Sequence, residues 1–399
     1  MRPIPAGVKE GGPDRLSETH SLGRVIAEAR EHPVHIVFVH GIRADGPGTS
    51  AYFRQGLCRH VQDLCPDGAQ PPLDRSTRFD LGDRPLLEYL GEPVWRNDME
   101  WRASWPFVDR YVYRRRDAPP VVVDEVNWWP LLFALKSRVL VWPEVDLSGA
   151  DKTHLLLCSS DTPPYFPFLD RRTVEERLAR PPLSGGAARL NADLKQQLMN
   201  WGFADATIAI GPVRRYLHRA MEAAFSYAAG FEAYTPNTPE FVVVAESLGG
   251  FVVLDAYSNL GKETETLRQV VTNATDLYLF ANQFALLALT RLREPPNAAA
   301  PAGSTPRAGL LRHWAMTPTP AKETGPSRPR QIIAFNDPSD ALTFNVPALL
   351  NPDGSRAAIV ANLYCRNELN FFGLFADPIA AHTGYSRNPA VLRTVFAKG

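Results

Sequence analysis

The clearest chemical signal in the sequence is a serine between a β-branched run and an apolar helical pattern. Ser247 lies at the turn of the segment FVVVAESLGGFVVLDAY. A serine on a tight strand-to-helix turn stands at the helix N-terminus, where backbone N–H groups favour developing negative charge. Such a turn needs small residues two positions before and after, here Ala245 and Gly249. The pattern predicts a nucleophile, and the alternative is an ordinary serine N-cap.

A serine nucleophile also needs a general base and an acid that orients it. Of the nine histidines, only His382 lies beyond the candidate acids. Asp337 and Asp340 both follow an apolar run at 331–335. Asp340 is preferred because Asp337 precedes a proline in a turn-like segment, and Asp337 is the alternative acid. The chain order serine, acid, histidine is the order in which one class of hydrolases carries its triad.

The fourth element is an oxyanion hole, which the backbone would supply. The dipeptide His40-Gly41 directly follows a predicted strand, as it does in loops that donate an oxyanion-hole N–H. The N–H groups of Ile42 and Leu248 are therefore the expected donors. The simpler alternative is that His40 only caps the end of a strand.

These residues need a scaffold that brings strand ends together. Apolar, β-branched runs predict strands at 34–39, 121–126, 241–244, 277–280, 331–335 and 357–364, and helical patterns fall at 51–64, 190–201, 213–229, 248–260 and 389–397. Strands alternating with helices indicate an α/β fold with a parallel sheet, whose ligands lie at the carboxyl ends of the strands. The expected site residues all follow strands.

Composition shifts divide the chain into segments. We expect an N-terminal extension at 1–32, core at 33–81, a Trp- and Pro-rich cap at 82–186 with one core strand, core at 187–294, a Pro-rich insertion loop at 295–330 and core at 331–399. The loop holds eight prolines, and Leu310 to Trp314 is its expected anchor. The cap holds six of the eight tryptophans, which either line an acyl pocket or fill a small core.

Taken together, the motifs around Ser247, Asp340, His382 and His40-Gly41 resemble those of the α/β-hydrolase superfamily, especially its lipase-like and esterase-like members. The resemblance implies a mostly parallel central sheet flanked by helices, with an inserted cap. It also implies hydrolysis of a small-molecule or lipid-like carboxylic ester through an acyl-enzyme, without metal or cofactor. A thioesterase or amidase on the same triad, and a non-catalytic binding protein with this fold, are the alternatives.

Composition and the remaining motifs argue against other classes. Lys and Arg number 43, as do Asp and Glu, so the excess positive charge typical of nucleic-acid binding is lacking. A G-x-G-x-x-A pattern begins at Gly46 but lies far from the strand end and contains Pro47, and the chain has neither a P-loop nor an H-E-x-x-H motif. Neither a dinucleotide nor a zinc site is expected.

Features bearing on location are weaker. No secretory signal or long apolar span stands out, and the four cysteines lack a C-x-x-C pair, so we expect a reducing, cytoplasmic compartment. Cys158 has no helix after it and is expected to be a structural thiol. The run Arg114 to Arg116 is most often a solvated face, but beside tryptophans it can contact anionic lipid headgroups. The cap is therefore the expected place for any peripheral membrane contact.

Overall fold

The computed structural model describes residues 7–11, 14–41, 48–61, 63–82, 86–87, 92–93, 98–136, 203–230, 240–259, 265–287, 289, 309–317, 329–367 and 378–397. Several predictions fall outside these ranges. They concern Ile42, the helix at 190–201, Cys158, Trp95 and Trp142, together with the cap beyond residue 136.

A nine-stranded sheet forms the centre of the molecule, in the spatial order β1-β11-β10-β9-β8-β2-β7-β6-β3. Its strands, with the short β4–β5 hairpin beside it, are β1 Val8–Glu10, β2 Val34–Val39, β3 Arg75–Arg78, β4 Leu86–Leu87, β5 Glu92–Pro93, β6 Phe107–Tyr113, β7 Val121–Asn127, β8 Glu240–Glu246, β9 Asp276–Phe280, β10 Gln331–Asn336 and β11 Ile359–Cys365. From β7 to β11 across the sheet, the six central strands are parallel. The outer strands β1, β6 and β3 pair antiparallel, with β1 and β3 at the two edges.

Helices flank the sheet. They are α1 Leu22–Glu28, α2 Ala51–His60, α3 Asp98–Ala103, α4 Trp129–Lys136, α5 Ala204–Ile210, α6 Arg214–Ala229, α7 Leu248–Asn259, α8 Glu265–Asn273, α9 Phe284–Leu287, α10 Gly309–Met316, α11 Pro378–Thr383 and α12 Pro389–Val395, with 3₁₀ turns at Leu16–Glu18 and Tyr385–Arg387. Two core clusters of buried apolar residues, one containing α6 and α7 and the other α1, α2 and α12, use alternate side chains of the same strands. Burial on both faces explains why the central strands are almost continuously apolar. The arrangement is of the α/β type, as expected.

All six predicted strands are present, at slightly shifted bounds. Val34–Val39 has the predicted limits, and the other five differ from the prediction by one or two residues at either end. The helices beginning at Ala51, Leu248 and Pro389 start where the patterns place them and end earlier. Apolar runs and helix periodicity therefore located the central elements of the fold.

The segments around the core take part in it. The N-terminal extension 1–32 packs on the core, since β1 pairs with β11 and Leu16, Leu22 and Val25 are buried there. The cap segment 82–186 contributes two strands to the main sheet, β6 and β7, where one was expected. In the Pro-rich segment 295–330, α10 packs Leu311 and Trp314 into the core, so the expected anchor is a helix.

A disulfide joins Cys58, near the end of α2, to Cys65, with 5.2 Å between their Cα atoms. This disulfide was not expected from the sequence, whose cysteines include no C-x-x-C pair. Helix α2 ends at His60, and the following turn brings the two cysteines together although they lie seven residues apart. Disulfides are typical of oxidising compartments. In the described part of the chain, no helix is both long and apolar enough to cross a membrane.

Candidate active site

Ser247 occupies a strained turn between β8 and α7. Its φ of 50° lies in the left-handed region, which is uncommon for a residue other than glycine. The Ser247 N–H donates to the carbonyl of Phe280 on β9 at 2.7 Å. Strain of this kind persists only where the surroundings impose it, and it concentrates at functional sites. The turn is the strand-to-helix turn predicted from the sequence.

Two glycines let the backbone close around this turn. A Cβ on Gly249 would lie 2.4 Å from the carbonyl oxygen of His40, and one on Gly41 would lie 2.6 Å from the Cβ of Ser247. Neither distance is compatible with a side chain. The small residue expected two positions after the serine is thus required by the approach of α7 to the end of β2.

The structure brings Ser247, His382 and Asp340 together in one hydrogen-bonded chain. The Oγ of Ser247 lies 2.8 Å from Nε2 of His382. The Nδ1 of His382 lies 2.9 Å from each carboxylate oxygen of Asp340. Because the carboxylate only accepts, Nδ1 carries the proton, and Nε2 is then free to accept the Ser247 hydroxyl. All three residues are buried, across sequence separations of 42 and 135 positions.

Asp337, the alternative acid, has different partners. Its carboxylate accepts the backbone N–H groups of Ser339, at 2.8 Å, and Asn367, at 2.5 Å. Both contacts hold the loop between β10 and the acid. Of the two carboxylates, only Asp340 contacts the histidine.

Tyr385 is a supporting residue that the sequence analysis missed. Its hydroxyl donates to Asp340 at 3.1 Å and accepts the backbone N–H of Asp337 at 2.6 Å. Burial, followed by the nearby Asp340 carboxylate, raises the pKa of Tyr385, so the hydroxyl keeps its proton. The tyrosine therefore fixes the acid in the orientation that faces His382. Its position three residues after His382 was the only available sequence signal.

Gln283 is a second residue that the sequence analysis missed, and it contacts the serine itself. Its side-chain Nε2 lies 2.8 Å from the Oγ of Ser247, and the residue is only 3% exposed. Gln283 follows β9, the strand next to β8, and precedes α9. The available signal was a polar residue just beyond a predicted strand end.

On the opposite side of Ser247 lies the end of β2. His40 is buried, its Nδ1 donates to the carbonyl of Gly41 at 2.7 Å, and its ring stacks on Trp128 at 5.2 Å between centroids. Burial lowers the pKa of His40 to about 4, so the ring is neutral at pH 7. His40 is therefore a packed residue that binds Gly41 at the end of β2. Leu248, the described member of the expected oxyanion pair, is the first residue of α7.

Glu125 on β7 holds the residues at the start of α2. Its carboxylate accepts the backbone N–H groups of Gly48, Thr49 and Ser50, at 2.6, 3.1 and 3.0 Å, and the Ser50 hydroxyl as well. A carboxylate at this point favours the start of a helix, here α2. Residues 48–50 at the start of α2 are thus held against β7.

The described tryptophans and the arginine run of the cap segment lie in different parts of the molecule. Trp101, Trp128 and Trp129, the core tryptophans, are buried in the larger core cluster, and Trp105 packs against it. This burial favours core filling over an acyl pocket for the described tryptophans. The run Arg114 to Arg116 lies in the β6–β7 turn and lines a cleft of about 790 Å³. That turn precedes β7, so it lies at the opposite end of the parallel strands from Ser247.

Among the described residues, no group of three or more His, Cys, Asp or Glu side chains could hold a metal ion. No protein-family model, curated protein or solved structure matches this chain significantly. The geometry of the side chains around Ser247 is therefore the basis for assigning a function.

Proposed function

We propose that this protein is a serine hydrolase with an α/β-hydrolase fold and that it cleaves carboxylic esters. The observation that carries the proposal is the hydrogen-bonded chain from Ser247 through His382 to Asp340, with the serine on a left-handed turn. A serine that was only a helix cap would need neither the histidine nor the strain. An idle triad in a binding protein is disfavoured because all three side chains are present and correctly ordered.

The order of the strands supports the same proposal. The serine follows β8, the acid follows β10, the histidine follows β11, and His40-Gly41 follows β2 beside β8. In α/β-hydrolases the nucleophile turn is flanked by the oxyanion loop, and the acid and histidine come later in the chain. The antiparallel strands β6 and β3 extend the sheet on the β2 side, beyond β7.

The proposed reaction has two stages. In acylation, the Oγ of Ser247 attacks the ester carbonyl while Nε2 of His382 takes its proton and then gives it to the departing alcohol. Asp340 keeps Nδ1 protonated and stabilises the imidazolium. The oxyanion is held by the N–H of Leu248, with that of Ile42 as the proposed second donor. Water then releases the acid by the same proton path.

Esters are the proposed substrates, and thioesters and amides are the alternatives on the same triad. Hydrolysis of p-nitrophenyl acetate and butyrate by the intact protein tests the activity. Ser247→Ala should lower kcat by several orders of magnitude and leave the melting temperature nearly unchanged. Full activity in that variant would refute the assignment of Ser247.

A further inference from the structure

Gln283 holds the oxygen of the proposed nucleophile from a direction that the triad does not use. The hydrogen bonds around Ser247 determine which atom of the Gln283 amide faces the serine oxygen. The single proton of the Ser247 hydroxyl is donated to Nε2 of His382, because Nδ1 already donates to Asp340. The serine oxygen can then only accept at its second contact, so the Gln283 amide donates an N–H to it.

The backbone positions this amide firmly. Ala281, at the end of β9, has a φ of 56°, the second described left-handed residue beside the site. Asn282 then donates its side-chain amide to the carbonyl of Phe344 at 2.5 Å and to Asn336 at 3.2 Å. The carbonyl of Gln283 accepts the N–H of Leu287 in α9 at 3.0 Å. The chain is therefore tied on both sides of Gln283, and strain at Ala281 turns it toward Ser247.

The sheet order shows where this donor stands relative to the oxyanion hole. β8 lies between β2 and β9, so Gly41, which precedes the proposed donor Ile42, and Gln283 lie on opposite sides of Ser247. The amide therefore faces the serine oxygen rather than the carbonyl oxygen of a substrate.

We propose that Gln283 is a catalytic residue that stabilises the Oγ of Ser247 as the leaving group of deacylation. This inference rests on the proposed function. In deacylation, water adds to the acyl carbon and gives a proton to Nε2 of His382. The bond between Oγ and carbon then breaks, Oγ takes the proton from Nε2, and a carboxylic acid departs.

The amide affects the two stages differently. In the acyl-enzyme, Oγ is an ester oxygen and a poor acceptor, whereas in the transition state for its departure it carries negative charge. A donor that binds the transition state better than the ground state accelerates that step. In acylation, the N–H of Gln283 is already bonded to the serine hydroxyl in the free enzyme. The hydrogen bond therefore stabilises the acylation transition state by less, relative to the ground state, than it stabilises the deacylation transition state. Loss of the donor should therefore slow deacylation more than acylation.

Gln283→Met tests this, since methionine is similar in size and cannot donate. With p-nitrophenyl butyrate, we expect kcat to fall about tenfold or more and kcat/KM by less than about threefold. Stopped-flow traces should then show a stoichiometric burst of p-nitrophenol, because the acyl-enzyme accumulates. Gln331→Met is the matched control, since Gln331 is equally buried but bonds His20 far from the serine. That variant should change neither kinetic constant.

The outcomes separate the two proposals. If the wild type hydrolyses no ester and no fluorophosphonate labels Ser247, the proposed function fails. If the wild type is active and Gln283→Met keeps its kcat, or loses kcat and kcat/KM equally without a burst, the role of Gln283 is refuted. If Gln283→Met does not fold, Gln283→Glu is the second variant. Its side chain has nearly the same shape as glutamine and donates a hydrogen bond only when it is protonated. Its kcat should then fall as pH rises through the titration of the new carboxyl, and a kcat that follows the wild-type pH profile would refute the role.

Discussion

Glu246, directly before the proposed nucleophile, should make the stability of the protein depend on pH in an unusual direction. The residue is partly buried at the end of β8. Burial raises its pKa to about 7, with the nearby Glu125 adding to the effect, while a hydrogen bond from Ser386 and the charge of Arg387 oppose it. Glu246→Gln removes the titration and keeps the shape.

The size of the effect follows from the two pKa values. A folded pKa of about 7, against an ordinary value of 4.5, corresponds to about 3 kcal/mol at roughly 1.4 kcal/mol per pH unit. Because the folded state binds this proton more tightly than the unfolded state, the contribution is complete below pH 4.5 and is lost as pH rises to 7. Above pH 7, Glu246→Gln should therefore be more stable than the wild type, by up to about 3 kcal/mol.

Urea unfolding of both proteins between pH 4 and pH 8 measures this difference. The gap in the free energy of unfolding should open between pH 4.5 and 7 and stay constant above that range. Glu31→Gln is the matched control for the loss of a surface carboxylate, because the Glu31 side chain is 77% exposed. A gap for Glu246→Gln that is the same at every pH would refute the raised pKa and the burial that causes it.

Three further outcomes follow from the site. Asp340→Asn should lower kcat by about 10⁴-fold, as the equivalent change does in serine proteases. Asp337→Asn should mainly lower stability. If Asp337→Asn lowers kcat more than Asp340→Asn does, Asp337 is the acid. Gly249→Ala should lower the free energy of unfolding in urea by about 3 kcal/mol or more, because the added methyl group would meet the carbonyl of His40. Gly309→Ala, where the added methyl group has nothing within 4 Å, should be neutral or slightly stabilising. Equal losses in the two variants would contradict the close packing at Gly249. Along a series of p-nitrophenyl esters from acetyl to octanoyl, kcat/KM should vary by less than about fourfold, which is the gain expected from burying one methylene. The reason is that the core tryptophans are packed in the core and do not line an acyl pocket. A steady rise of kcat/KM with acyl length would reveal such a pocket.

The central sheet was predictable because its strands are buried on both faces and leave continuous apolar runs in the sequence. The outer strands were not, since they are short or carry charged residues in place of a continuous apolar run, as in RSTR of β3 and FVDRYVY of β6. In β6, Arg110 lies opposite Asp124 of β7 and forms a buried ion pair at 2.7 Å. β1 has only three residues and exists because β11 offers it a partner. Pairing across hundreds of residues leaves no local pattern.

The grouping of the three proposed triad residues was predictable for a related reason. Ser247, Asp340 and His382 each follow an apolar strand, and parallel strands bring their carboxyl ends to one edge. Gln283 and Tyr385 were not, because their roles depend on side chains that approach from neighbouring loops. The left-handed φ of Ala281, which directs Gln283 to the serine, is imposed by the tertiary structure. An alanine in the sequence does not indicate such a conformation. The disulfide was missed because Cys58 and Cys65 match no common spacing.

Labelling with a fluorophosphonate tests the central claim most directly, because covalent attachment needs a nucleophilic serine, its base and an oxyanion hole together. Intact-protein mass spectrometry should show one adduct on the wild type, and peptide mapping should place it on Ser247. Ser247→Ala should remove the adduct, whereas Ser104→Ala, which changes a buried serine bonded to Trp101, should retain it. A wild type that stays unlabelled at Ser247, or a Ser247→Ala variant labelled as before, would contradict the account.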